Sequence, residues 1–139
     1  MKTKSKITAL FLIIAALAIP TIQSCKKYPE GPSVSLRSRE ERVANTWKVE
    51  NYKINSTDYT SLVAGYEQTF SKGGAYSYSW GSTNGSGTWA FQNEEAEIRI
   101  TGVNSQPSET LYILKLKEKE FWYYIMDGND KHEYHLLQK

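Results

Sequence analysis

The sequence predicts an all-β chain: eight antiparallel strands wound up and down into a closed barrel, with one short N-terminal helix ahead of them. Three observations predict it. From Thr46 onward, apolar and polar residues alternate with period two in segments of six to nine residues. Glycine, asparagine and proline punctuate those segments at short intervals. The 139 residues, 40% hydrophobic and 13% aromatic, suit a single domain. Half-buried strands joined in sequence form an antiparallel meander, and closing eight of them removes the exposed edges.

The helix comes first. Ser38-Arg39-Glu40-Glu41 has the Ser-x-x-Glu spacing of a capping box, with acids in the first turn. Val43, Ala44 and Trp47 follow, so Arg39 to Asn45 reads as one or two helical turns that need a packing partner. The eight strands read as Thr46–Ile54, Gly65–Lys72, Ala75–Gly81, Gly87–Gln92, Ala96–Thr101, Glu109–Lys117, Glu120–Asp127 and Lys131–Gln138. Gly73-Gly74, Asn84-Gly85 and Asp127-Gly128 supply hairpin turns. Pro107, which cannot donate a ladder bond, marks a loop over Val103–Ser108.

Alternation sorts the faces. Ile98 and Ile100 share one face, opposite Glu97, Arg99 and Thr101. Leu114 and Leu116 share another, opposite Lys115 and Lys117. Phe70, Trp89 and Phe91 complete an apolar lining.

Four strings carry a family resemblance: Asn45-Thr46-Trp47-Lys48, Thr69-Phe70-Ser71-Lys72-Gly73-Gly74-Ala75-Tyr76, Gly87-Thr88-Trp89, and Leu111-Tyr112-Ile113-Leu114-Lys115-Leu116. With them the chain from about Ser35 to Lys139 resembles the lipocalin-like domain of Gram-negative lipoproteins. The resemblance implies an up-and-down lipocalin-like barrel in which a short helix precedes the first strand and Trp47 closes one end. The chain departs from the ordinary pattern in having Asn45 where lipocalins place glycine. Thr57-Asp58-Tyr59 copies a lipocalin string but stands between the first two strands, too early to count.

The first 25 residues read as an address. Lys2, Lys4 and Lys6 precede a 13-residue run, Ile7 to Ile19, whose one polar member is Thr8. A membrane-spanning helix needs about 20 apolar residues, so the run fits the core of a signal peptide over residues 1–24. It ends in Ile22-Gln23-Ser24-Cys25, which resembles a bacterial lipobox. That implies a diacylglycerol thioether on Cys25 and an acyl chain, such as palmitate, on its amine. Two chains give stable anchoring. Residues 25–34, with two prolines and Gly31, read as a lipidated, extended tether, and residues 35–139 as the barrel. The expectation is a lipoprotein of the outer membrane, on its periplasmic side.

Charge excludes several function classes. Basic residues outnumber acidic ones 17 to 15, but without the three N-terminal lysines the balance is 14 to 15, so no basic footprint for nucleic acid remains. The single cysteine excludes an internal disulfide or a cysteine cluster. His132 and His135 stand three apart on a strand, on opposite faces, and do not share a metal. Asp127-Gly128-Asn129-Asp130 reads as a hairpin turn, without the loop length or distal acid of a calcium site. No Gly-x-Ser-x-Gly elbow or phosphate loop occurs. Neither an enzyme nor a cofactor is expected.

The aromatic residues are the informative excess. Tyr76, Tyr78 and Trp80 share a face of one strand, and Trp89 and Phe91 a face of the next. The strand Glu120–Asp127 is apolar on both faces. Tyr76, Tyr78, Trp80 and Trp89 are therefore the candidate ligand-binding residues, for a small apolar or aromatic ligand, with Asn55–Ala64 as a lid. The alternative is an interaction module that docks a protein or glycan on exposed aromatics.

Overall fold

A computed structural model describes residues 27–139. The signal segment at 1–24 and Cys25 lie outside the described residues.

Helix α1 spans Arg39–Val43, capped as its sequence requires. The Glu41 amide donates to Ser38 Oγ at 3.2 Å, and the Ser38 amide donates to Glu41 Oε2 at 3.0 Å. That backbone bond holds the Glu41 carboxyl below the usual range. Five residues do not hold a helix alone. Val43 is buried against the barrel, and the Arg42 guanidinium donates to the Leu116 carbonyl.

Nine strands follow: β1 (Thr46–Ile54), β2 (Thr57–Asp58), β3 (Glu67–Phe70), β4 (Ala75–Trp80), β5 (Thr83–Gln92), β6 (Glu97–Thr101), β7 (Glu109–Leu116), β8 (Glu120–Asp127) and β9 (Asp130–Gln138). Eight form one antiparallel meander in chain order, and β9 pairs back with β1 to close the barrel. The chain is thus an all-β, eight-stranded, lipocalin-like barrel. β2, not foreseen in the sequence, lies outside it, paired with β1 at Lys53 and Ile54.

Three local features differ from the expectation, each for a physical reason. The turn between β4 and β5 falls at Gly81-Ser82, because Gly81 takes a left-handed φ of 59°. Asn84-Gly85 instead runs inside β5, paired with Tyr78 and Ser79 of β4. The register of β7 against β8 shifts between Ile113 and Lys115, a β-bulge at Leu114. A bulge inserts one residue and exchanges the two faces beyond it. Leu111, Ile113 and Leu116 therefore face the core, and Leu114 does not join it.

The third feature is the segment read as a loose tether. Tyr28 is buried in the core cluster, and its hydroxyl donates to the Glu95 carbonyl at 3.0 Å. The Glu30 amide donates to the Leu114 carbonyl, and the Leu116 amide to the Gly31 carbonyl. Tyr28 to Gly31 thus lies along the bulge and satisfies polar groups that the shifted ladder leaves over.

The barrel has one filled end and one open end. At the filled end Trp47 is fully buried under α1, its indole N–H donating to the Val43 carbonyl at 2.9 Å. Phe70 stands at the centre, edge-on to Tyr76, Trp89 and Phe121 at centroid distances of 5.1, 5.7 and 5.8 Å. Such pairs add to plain area burial. On the outside of β8, Trp122 lies between two side chains. The His135 ring stacks on it at 3.8 Å, and Lys115 Nζ stands 3.2 Å from the ring centroid. Long polar side chains thus cover the outer aromatics of β8.

Candidate functional site

The inward rows of the strands set the site. On the β3 side the row is Tyr66, Gln68 and Phe70; on β9 it is His132, Tyr134 and Leu136; on β8 it is Phe121, Tyr123 and Ile125. Phe70, Phe121 and Leu136 fill the closed end. Towards the open end the rows turn to tyrosine and polar residues, and the packing stops.

There the barrel holds a cavity of about 760 Å³. Its wall includes Tyr66, Tyr76, Tyr78, Ile100, Ile125 and His132, and its rim includes Glu109 and the Gln106–Ser108 segment. Small-ligand sites are typically about 300–1,000 Å³.

Two features shape the wall of this space. Gly85 and Gly87 lie on the inner face of β5 and leave room that side chains from elsewhere take. A Cβ on Gly85 would stand 2.5 Å from the Tyr78 ring, and one on Gly87 2.8 Å from a Val103 methyl. Second, β7 and β8 part towards the rim. Their pairing ends at Tyr112 with Tyr124. Beyond it Glu109–Leu111 pairs with β6, and Ile125–Asp127 with β9. Glu109, Thr110 and Tyr112 on one side and Ile125, Met126 and Asp127 on the other line the resulting side opening.

A hydrogen-bonded tyrosine layer forms beneath the cavity. Gln68 Nε2 donates to the Tyr123 hydroxyl at 2.7 Å and to the Tyr66 hydroxyl at 3.1 Å. Tyr52 stacks near Tyr134 at 4.6 Å, and its hydroxyl pairs with His132 Nδ1 at 2.7 Å. Burial pushes the Tyr66, Tyr76, Tyr123 and Tyr134 hydroxyls above the usual range, so they stay neutral. Burial also raises the Glu109 carboxyl, while nearby His132 acts the other way. Glu109 still meets solvent through the mouth.

The candidate residues are divided by this geometry. Tyr76 and Tyr78 line the cavity. Trp80, on the same face, lies beyond the rim, 45% exposed, with its ring edge-on to Tyr66 at 6.3 Å. Trp89 belongs to the filled end, its indole N–H donating to the Ser71 carbonyl at 2.9 Å. The Asn55–Ala64 connection does not line the cavity. It folds back along β1, where the Tyr59 amide donates to the Tyr52 carbonyl. The segment at the mouth is Val103–Ser108 instead.

Tyr66, Glu109 and His132 were not among the candidates. His132 was legible, since it shares parity with Tyr134 and Leu136. Glu109 was hidden by the Leu114 bulge, because plain alternation from Leu116 places it outside. Comparison with protein-family models and with curated proteins returns no match.

Proposed function

We propose that this chain is a membrane-anchored, lipocalin-like binding protein without catalytic activity. It would take a small, partly apolar or aromatic ligand into the open end of the barrel. The observation that carries this reading is the 760 Å³ cavity walled by tyrosines above a filled core. Native mass spectrometry of the purified protein tests it. A non-covalent compound carried by the barrel and released on unfolding is the expected result.

Tyr78→Phe refines the test. The Tyr78 hydroxyl accepts from Asn104 Nδ2 at 3.1 Å and holds the Val103–Ser105 turn at the mouth. Its loss should lower ligand occupancy about 2- to 10-fold, the worth of one hydrogen bond. Stability should stay within about 0.5 kcal/mol, because the ring keeps its packing against the core and the lost bond is an exposed one. Equal losses of both would instead mark Tyr78 as a packing residue.

The anchor in this proposal is Cys25, supported by the short apolar run that ends at the only cysteine of the chain. Mass spectrometry of the native N-terminus should show acyl chains on Cys25, and Cys25→Ala should move the protein from the membrane to the soluble fraction. An unmodified Cys25 at the native N-terminus would remove the anchor.

A further inference from the structure

The charge around the cavity is one-sided. Its lining carries two carboxylates, Glu109 and Asp127, one imidazole, His132, and no lysine or arginine. Elsewhere several acids of this barrel are ion-paired: Glu41 with Lys72, Glu67 with Lys139, Glu118 with Arg37, and Glu133 with Lys131. Among the described residues neither Glu109 nor Asp127 takes part in an ion pair. No hydrogen bond supports the Glu109 carboxyl, whose one nearby titratable influence is His132. Two exposed acids thus stand at the rim of a concave space whose lining supplies no lysine or arginine.

The rest of the lining suits the same charge. Tyr66, Tyr76 and Tyr78 contribute rings, and the negative face of an aromatic ring attracts ammonium groups. Carboxylates and ring faces both suit a ligand that is positive in charge.

The geometry points to a protonated organic amine, an ammonium group joined to an aromatic or apolar body, as the ligand class of this cavity. This rests on the reading of the cavity as a ligand site and narrows it. The ammonium group would sit between Glu109 and Asp127 at the side opening, and the body against the tyrosines and Ile125.

Three probes of one shape separate the possibilities: tryptamine, a cation; tryptophol, its neutral isostere; and indole-3-acetate, an anion. Each is titrated by calorimetry into the full protein in nonionic detergent at pH 7, with detergent blanks. Tryptamine should bind at least tenfold more tightly than tryptophol, and indole-3-acetate most weakly. Raising the salt should weaken tryptamine alone, because screening acts on charge. Glu109→Gln should narrow the tryptamine-to-tryptophol ratio to below threefold while leaving tryptophol within twofold. Asp127→Asn should narrow it independently, which keeps the test decisive if the first variant does not fold. Equal or tighter binding of tryptophol or indole-3-acetate, or a ratio that neither variant moves, overturns the amine assignment and leaves the cavity reading standing. If no probe binds, a compound co-purified with the protein decides by whether it carries a basic nitrogen. Absence of any such compound as well overturns both readings.

Discussion

Trp47→Ala should cost the barrel about 3–5 kcal/mol, as truncation of a large buried aromatic does. The indole is wholly buried, donates to the Val43 carbonyl, and packs against Phe121 at 5.7 Å. Its removal opens a void between α1 and the barrel floor and leaves that carbonyl with the Asn45 amide alone. Domains of this size have a total stability of about 5–15 kcal/mol, so a large part of it is at stake. In a urea titration the midpoint should fall by about 1–5 M, given typical slopes. A shift of only a few tenths of a molar unit would mean that Trp47 is not the plug of the filled end.

Gly87→Ala should be the most costly single-methyl addition, at about 1–3 kcal/mol for overpacking. The added Cβ would press on the Thr101 carbonyl oxygen and stand 3.1 Å from the Val103 amide nitrogen. Both are backbone atoms, so no rotamer change relieves the contact. β5 must move away from β6, or the Val103 turn must lift from the mouth. Urea midpoints should show the loss, and native mass spectrometry should show reduced ligand occupancy with it. Ser86→Ala, one position away on the exposed face, should change stability by no more than about 0.5 kcal/mol. Similar midpoints for the two variants would refute the close approach at Gly87.

The contrast between these glycines and Gly81 shows where sequence reading works. Strand ends at Thr46, Ile54, Glu120 and Asp127 are legible because alternation and turn residues agree there. Asn84-Gly85 misleads because glycine has two uses. A turn needs its left-handed backbone, whereas β5 uses its missing side chain to admit the Tyr78 ring. Nothing in the local string separates the two. The candidate site suffers from the same kind of ambiguity. Tyr76 and Tyr78 follow from parity along one strand, but depth along the barrel decides which aromatics fill and which line. Depth is set by strand stagger, so Trp89 lands in the floor and Trp80 beyond the rim. The bulge at Leu114 is the costliest omission, since one extra residue turns Glu109 from an outer acid into a cavity acid.

The docking of Tyr28 to Gly31 on that bulge also bears on how the barrel meets a bilayer. Three residues of extended chain from Cys25 to Tyr28 reach at most about 11 Å. Tyr28 lies at the filled end, beside the Glu95 carbonyl, and Val34 and Leu36 stand fully exposed on the link to α1. An acyl group on Cys25 would hold that end against the lipid surface, with the mouth about 20 Å farther out along the tilted strands. The cavity would then exchange its contents with the aqueous compartment. A ligand would arrive by diffusion through water, with no need to be drawn out of the membrane.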